Sequence, residues 1–363
     1  MGPGPFGTML LAAFGADVIH VGRAGKGDPA ADASHQNSGK RTIRLDLKSD
    51  EGRRIVAQLA QHADIMIEGF RPGVMERLGL GPNEMLAANP RLLYARITGW
   101  GQTGPYAQMT GHDINYIAVA GTLSQIGRDE PTPPLALVGD YASGGMMMVI
   151  ALLSELRQRD ADGVGKVLDC AIVDGAVTML HGALATAGRG RHPTSTELLN
   201  GSAPFYRAYR CADGKWFSVG AIEAKFYANL IRTMGLADEP LMARQYDMKQ
   251  WPAMSERMAE KFAERSRADW AELLMDAEAC AFPVVELDEI ADEPHLAARG
   301  MAYREDGQIR TARAGRVMGE AAVRIAAAPP PGDDTVAVLT ALGYSPEAIA
   351  ALLEAKVVAG PSD

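Results

Sequence analysis

LLYARI, at residues 92–97, is a short apolar run of the kind that forms a buried strand. Runs of the same kind occur at 16–21, 41–47 and 64–68, with helical patterns between them. Ser49 precedes two acids and marks the start of one of these helices, because serine caps a first turn and the helix dipole favours acids there. Strand–helix alternation at this spacing predicts an α/β fold with a parallel sheet, in which ligands bind beyond the carboxyl ends of the strands.

Beyond residue 140 the pattern changes twice. The pattern over residues 141–188 predicts two long helices with a break near 160–165. Residues 189–203 are rich in loop signals and are predicted to form a linker. Two strand-like runs, 206–211 and 216–219, flank the turn ADGK, which is a strong hairpin signal. We therefore predict a large domain that begins with residues 1–188, a small α+β domain at 204–310, and a final segment, 311–363, made of a linker and C-terminal helices.

Composition restricts the class of protein. The 363 residues suffice for two domains, and 47% hydrophobic with 22% charged residues is typical of a globular protein. The net charge of -9, without a basic block, argues against nucleic-acid binding, although local cations could bind a small anion. Three separated cysteines (Cys170, Cys211 and Cys280) favour a reducing, cytoplasmic setting over a disulfide framework or a zinc site. We expect no membrane span, because no apolar run approaches about 20 residues.

The segment GHDINY, at residues 111–116, places His112 and Asp113 at the start of an apolar, helical run. Gly139 and Asp140 open another such run. Two proton-handling groups at the starts of two helices can converge on one small space, as a reaction with two bases on opposite faces of a carbon requires. A simpler interpretation stays open, since His–Asp and Gly–Asp pairs also occur as ordinary helix caps.

Together with other segments, this one resembles the class III CoA-transferase (CaiB/BaiF) superfamily and, within it, the α-methylacyl-CoA racemases. The order and spacing of the motifs carry the resemblance, rather than any one of them. The motifs are FGADVI (14–19), LDLKSD (45–50), EGFRPGV (68–74), RLGLG (77–81), ARITGWGQTGP (95–105), GHDINY (111–116), LVGD (137–140), DCAIVDG (169–175), GAIE (220–223) and EPHL (293–296). They are spread over most of the chain.

The resemblance implies a Rossmann-like large domain and a smaller α+β domain, with two chains interlocked as a homodimer around active sites between the subunits. The C-terminal helices would return to the large domain. Family members also carry a first β-strand ahead of the turn GPGP, which is residues 2–5 here. The expected strand has no counterpart in the sequence, and its loss would expose the ladder groups of neighbouring strands.

The reaction that the resemblance implies is racemisation of a 2-methylacyl-CoA thioester, in lipid metabolism. One base removes the α-proton, an enolate forms, and the other base returns a proton to the opposite face. His112 and Asp140 are the expected bases, and the backbone N–H of Asp140 is the expected donor to the enolate oxygen. Glu223 is expected to pair with His112. The expected supporting residues are Asp113, Gly111, Asn115 and Tyr116. Proton transfer needs no metal and no cofactor beyond the coenzyme A of the substrate.

Coenzyme A carries a pyrophosphate and a 3′-phosphate, which suit arginine and lysine at strand ends and helix starts. Arg71 lies on a short loop containing glycine and proline and is the strongest candidate, although many surface arginines are only solvated. By resemblance, the residues that bind the acyl-CoA are Arg23, Leu45, Lys48, Gly69, Phe70, Arg71 and Arg77.

Two other functions remain open. In a class III CoA-transferase, the aspartate matching Asp140 would be a nucleophile that forms an anhydride with the acyl group. His112 and Glu223 favour the racemase, because a transferase needs no second base. A chain without the first strand could instead be an inactive, truncated homologue that still binds CoA.

Overall fold

The computed structural model describes residues 2–25, 35–187 and 195–361, and the chain divides into two units. Within these limits the first unit contains residues 1–120, 135–178 and 297–363, and the second contains residues 121–134 and 179–296. The predicted boundaries, 1–188 and 204–310, differ from this division. Residues 121–134 belong to the second unit, where the side-chain amide of Asn200 donates to the carbonyl of Gly127 (3.3 Å). Part of the predicted linker 189–203 lies outside the described residues.

Helices and strands alternate through the first part of the chain, as predicted. The helices are α1 (Pro3–Ala13), α2 (Asp50–His62), α3 (Val74–Arg77), α4 (Pro82–Ala88), α5 (Asp113–Val119), a π-helix (Leu137–Met146), α6 (Met147–Asp162), α7 (Ile172–Met179), α8 (His181–Thr186), α9 (Ser195–Leu199), α10 (Ala224–Thr233), α11 (Trp251–Phe262), α12 (Arg267–Leu274), α13 (Pro294–Ala298), α14 (Thr335–Ala341) and α15 (Pro346–Glu354). Short 3₁₀ turns occur at His35–Asn37, Thr122–Gln125, Pro240–Ala243 and Met275–Ala277.

Within the described ranges the strands form four small sheets. They are β1 (Ile19–Arg23), β2 (Arg41–Leu45), β3 (Ile65–Glu68), β4 (Leu93–Thr98), β5 (Lys166–Ala171), β6 (Tyr206–Arg210), β7 (Trp216–Gly220), β8 (Ala281–Pro283), β9 (Ala302–Glu305), β10 (Gln308–Thr311) and β11 (Val358–Ala359). In the first unit the sheets have the orders β1-β2-β11, β3-β4-β5 and β10-β9, and the second unit has β6-β7-β8.

The parallel pairing predicted for the first unit is confirmed, but it is split between two three-stranded sheets. β1 pairs parallel with β2, while β3 and β5 pair parallel with the central β4. In the part of the chain that the structure describes, β1 and β3 each have a single strand partner. The carboxyl ends of these parallel strands, beyond which ligands bind in such folds, lie at residues 23, 45, 68, 98 and 171.

The prediction of two long helices over 141–188 is confirmed for the first, which ends at Asp162 inside the predicted break, and is wrong for the second, because β5 occupies the start of that stretch. Lys166 pairs with Leu93 and Asp169 pairs with Arg96, so β5 extends the sheet beyond β4. Charged residues at these two positions of β5 interrupt its apolar pattern. Only pairing with β4, which is distant in sequence, reveals the strand.

Two local predictions in the first unit are confirmed. The hydroxyl of Ser49 accepts a hydrogen bond from the backbone N–H of Gly52 (3.0 Å), as expected of a helix cap. The C-terminal helices dock on the sheet, where the Asp334 carboxylate accepts a hydrogen bond from the backbone N–H of Thr42 (2.8 Å). β11 then pairs antiparallel with β2. The tail thus covers the strand that ends at Leu45.

Helix α1 packs very closely on the π-helix. A Cβ atom on Gly7 would lie 2.9 Å from the carbonyl oxygen of Gly145, so a larger residue could not approach to this distance. The rings of Phe6 and Tyr141 stack with their centroids 4.4 Å apart. This contact fixes the segment that contains Asp140 against the N-terminal helix.

The second unit has its own aromatic core. The predicted hairpin is confirmed, since β6 and β7 pair antiparallel in the register Tyr206 to Gly220, and β8 adds to β7. The largest fully buried side chains there are Phe205, Phe217, Phe262 and Trp270. This unit is therefore the α+β unit that the sequence predicts.

One helical stretch contradicts the expectation that no apolar run is long enough to span a bilayer. Leu137–Asp162 comprises 26 residues, and its most apolar window has a mean hydropathy of 1.4 with 39% of that window buried. The π-helix and α6 are continuous, which joins two shorter apolar runs into one. Length and composition alone give this result, and the core helix of a soluble protein satisfies the same criteria.

Candidate active site

His112 lies immediately before α5 and is exposed to solvent. Its backbone N–H donates to the side-chain oxygen of Asn115 (3.0 Å), and the backbone N–H of Asn115 donates to the carbonyl of His112 (2.8 Å). Such reciprocal bonds fix the entry of the chain into a helix. Asn115, predicted to support the site, therefore holds the backbone of His112.

Asp140 lies in the first turn of the π-helix and is partly buried. π-Helical segments are rare and occur frequently at functional sites. The pKa of the Asp140 carboxyl is raised from 3.8 to about 6, chiefly by burial and then by the negative charge of Asp113, while His112 acts in the opposite direction. A carboxyl with this pKa can both accept and return a proton near neutral pH.

Asp113 joins the segments that carry the two predicted bases. Its Oδ2 atom accepts a hydrogen bond from the backbone N–H of Asp140 (2.6 Å). A Cβ atom on Gly139 would lie 2.3 Å from this oxygen, so only glycine permits the contact. The prediction that this N–H binds the enolate oxygen needs correction, because the N–H already has an acceptor in this structure.

Tyr116, which is predicted to support the site, belongs to an aromatic cluster. Its ring packs edge-on against Trp100, with the centroids 4.8 Å apart, and its hydroxyl donates to the carbonyl of Gly111. Burial raises the pKa of Tyr116, the charge of Asp140 raises it further, and the charge of Arg71 opposes them. The charges of Asp140 and of Arg71, a predicted CoA-binding residue, therefore both act on the side chain of Tyr116.

A buried ion pair holds the loop 69–73, which carries three of the predicted CoA contacts. Glu68 accepts a hydrogen bond from the backbone N–H of Phe70 (2.7 Å) through one oxygen and from Arg96 (2.8 Å) through the other. Arg96 also donates to Glu76 (2.7 Å) on the helix that follows the loop. Arginine thereby connects both ends of the loop through two carboxylates.

The network of Glu68, Arg96 and Glu76 was not predicted from the sequence. A charge inside an apolar strand run was the available signal, since Glu68 ends DIMIE and Arg96 interrupts LLYARI. Buried charges are almost always paired, so two such charges on neighbouring predicted strands could have been matched. Gly139 gave no signal in the sequence, because only the position of Asp113 makes its missing side chain necessary.

The remaining predicted CoA contacts lie at strand and helix ends of the first unit. Arg23 ends β1, Leu45 ends β2, Lys48 follows β2 and Arg77 ends α3. The three charged residues are exposed and could reach an anionic ligand, whereas the side chain of Leu45 is buried in the core. Their role in CoA binding stays a prediction.

Glu223 belongs to the second unit and lies directly before α10, exposed to solvent. Its predicted pairing with His112 of the first unit stays a prediction. Among the described residues, no group of three or more His, Cys, Asp and Glu side chains is arranged to hold a metal ion.

Comparison with known proteins agrees with these features. Residues 1–335 match CoA-transferase family III. A mouse protein named alpha-methylacyl-CoA racemase is 36% identical over 364 residues, which cover 99% of this chain and 94% of the mouse protein. The human protein of that name is 39% identical over 312 residues, covering 85% and 81% respectively. A crystal structure of a CAIB/BAIF family protein from Brucella suis matches with a TM-score of 0.80 and 26% identity, covering 94% of this chain and 96% of that one. The chain therefore belongs to CoA-transferase family III.

Proposed function

We propose that this protein is an α-methylacyl-CoA racemase, which interconverts the (R) and (S) forms of a 2-methylacyl-CoA thioester. The mouse and human relatives named alpha-methylacyl-CoA racemase support the reaction class. The observation that carries the proposal is the raised pKa of the Asp140 carboxyl, about 6, on which the charge of His112 also acts. This coupling supports a site that contains two proton carriers of different chemistry.

His112 and Asp140 would act on opposite faces of the α-carbon. One removes the α-proton, the thioester becomes an enolate, and the other donates the proton that it already carries. With a pKa of about 6, roughly 9% of the Asp140 carboxyls are protonated at pH 7, against less than about 0.1% at the ordinary value. Both forms that the reaction needs are therefore populated. Glu223 would orient the imidazole of His112 and stabilise its charged form.

The acyl-CoA would be held through its phosphates by cations of the first unit. Arg71 is the best supported of these, because its charge reaches Tyr116 beside Asp140 and its loop is fixed by Glu68. Arg23, Lys48 and Arg77 would contribute further positive charge. The planar, multiply donating guanidinium suits phosphate oxygens.

The protein would act as a homodimer. Met146, Ile150 and Leu153 are 47%, 60% and 51% exposed, and their spacing places them on one face of the continuous helix. Val167 on β5 and Val177 on α7 are also exposed. Exposed apolar side chains on one helix face suit an interface, and the second copy that the family resemblance implies would cover them.

The test is incubation of one enantiomer of a 2-methylacyl-CoA in heavy water. Deuterium at the α-carbon together with inverted configuration, without any acceptor acid, would support the racemase. His112→Ala and Asp140→Ala should each abolish inversion, while each should leave exchange at the face that the other base serves. His62→Ala is the matched control, since His62 is an exposed histidine at the end of α2 in the same unit. Near-wild-type inversion in both active-site variants would rule out the two-base mechanism.

A CoA-transferase is the second candidate function. A succinyl-CoA–D-citramalate CoA-transferase of Chloroflexus aurantiacus is 32% identical over 317 residues, covering 82% of this chain and 78% of that protein. In this case Asp140 would be the nucleophile, and CoA would pass to an added acid without α-deuteration. If neither reaction occurs but CoA raises the thermal midpoint, the protein only binds CoA.

A further inference from the structure

Asp113 makes a contact that its position in a helix does not require. An acid in the first turn of α5 would favour the helix dipole of α5 itself, wherever its side chain pointed. Its carboxylate instead accepts the backbone N–H of Asp140, which lies in a different helix (2.6 Å). A charged acceptor makes this a strong hydrogen bond. Asp113 is therefore tied to the start of the π-helix.

Both partners of this contact are adjacent to a predicted base. Asp113 follows His112 directly, and the N–H that it accepts belongs to Asp140 itself. The backbone of His112 is in turn fixed by Asn115 (3.0 Å). Two hydrogen bonds, from the backbone of His112 to Asn115 and from the backbone of Asp140 to Asp113, thus constrain the distance between the two bases.

Gly139 supplies an independent observation. A Cβ atom at this position would lie 2.3 Å from Oδ2 and 2.6 Å from Cγ of Asp113. Real Cβ atoms do not approach so closely, and both contacts involve the carboxylate that makes the hydrogen bond. A methyl group here would push Asp113 away from Asp140 without altering any ionisable side chain.

We propose that Asp113 is a positioning residue that fixes the backbone of Asp140 relative to His112, and that Gly139 is needed to admit its carboxylate. The inference rests on the proposed racemase function. Exchange of the α-proton needs one base, which can return a deuteron to the same face. Inversion needs both bases in register across the α-carbon. Loss of Asp113 should therefore reduce inversion more than exchange.

The experiment compares Asp113→Ala, Gly139→Ala and Asp113→Asn in the full chain. For each, the rates of deuterium exchange and of inversion are measured from one enantiomer, together with KM. A misplacement of about 1 Å costs on the order of a hundredfold in rate, so the inversion rate of Asp113→Ala and Gly139→Ala should fall by about that factor. Exchange should fall less and KM should change little. A general loss of folded protein would lower both rates equally and leave their ratio unchanged.

Asp113→Asn separates position from charge. The amide oxygen can accept the same N–H, so the ratio of inversion to exchange should stay near that of the wild type. A ratio that is unchanged in Asp113→Ala and Gly139→Ala would overturn the proposal, as would a ratio in Asp113→Asn as low as in Asp113→Ala. Failure of the racemase function is recognised separately, because the wild-type protein itself would then show neither exchange nor inversion.

Discussion

Replacement of Arg96 by methionine should show that loop 69–73, which is predicted to bind CoA, depends on a buried ion pair. The side chains of Arg96 and Glu68 are only 9% and 2% exposed. Arg96→Met keeps an unbranched stem but leaves the carboxylate of Glu68 without its cation. Breaking a buried pair on one side costs about 3–5 kcal/mol, because the remaining charge is neither solvated nor neutralised. We expect a loss of unfolding free energy of that size at pH 8.

The loss should depend on pH in a defined direction. Burial raises the pKa of Glu68 even with Arg96 in place, and Arg96 opposes that rise. In Arg96→Met the folded protein therefore retains a proton on Glu68 at pH values where the unfolded chain, with a pKa near 4.5, has released it. Stability then falls as the pH rises from the unfolded value through the folded one. The difference from the wild type should be small near pH 5 and largest at pH 8.

Urea denaturation between pH 5 and pH 8 measures this loss of stability. The KM for acyl-CoA measures whether loop 69–73 keeps its conformation. Because Glu68 also accepts the backbone N–H of Phe70, a higher KM should accompany the loss of stability. The double variant Arg96→Met with Glu68→Gln should regain most of the stability, since no buried charge remains. Arg54→Met is the control, because Arg54 pairs with Glu51 at the surface. A pH-independent loss, or a double variant as unstable as Arg96→Met, would refute the reasoning.

Three further outcomes are expected. In the direction where Asp140 accepts the α-proton, kcat/KM should decrease as the pH falls below about 6. Asp113→Asn should move this decrease to lower pH, but not as low as 3.8, because burial is the larger cause of the raised pKa. An unmoved decrease in the pH–rate profile would contradict this. Gly99→Ala should lower activity and the thermal midpoint, because a Cβ atom there would lie 2.0 Å from the ring of Tyr116; a variant that matches the wild type in both would show that the ring can move freely. Ile150→Glu should convert a dimer to a monomer in light scattering, since a charge would enter the apolar face; an unchanged mass would place the interface elsewhere.

Local chemistry made much of the fold predictable. The cap at Ser49 and the β6–β7 hairpin depend on neighbours in sequence, and the structure has both. β5 was missed because its charged residues are accommodated by pairing with β4, which the sequence does not display. The division of the structure into two units differs from the predicted boundaries, since residues 121–134 belong to the same unit as Asn200, far along the chain.

In the candidate site, too, contacts between residues distant in sequence could not be predicted. The motifs singled out His112, Asp113 and Asp140. In the structure Asp113 accepts a hydrogen bond from the backbone of Asp140, and the charges of His112 and Asp113 both act on the pKa of the Asp140 carboxyl. What Asp113 does could not be read from the motif, because an acid beside a histidine has several uses. Its partner is a backbone N–H, which every residue except proline possesses and which no pattern of side chains reveals.

Asp113 has two effects on Asp140, and they can be separated. Its hydrogen bond fixes where Asp140 lies, and its charge contributes to the raised pKa. The rise from 3.8 to about 6 makes removal of an α-proton by this carboxylate less unfavourable by about 3 kcal/mol, since one pKa unit corresponds to about 1.4 kcal/mol. Asp113→Asn removes the charge but retains an acceptor, so it should lower the rate of inversion while the ratio of inversion to exchange persists. The ratio therefore reports the position of Asp140, and the rate reports its basicity. A variant of Asp113 with a lowered ratio of inversion to exchange but an unchanged pH dependence of kcat/KM would show that the two effects arise from different groups.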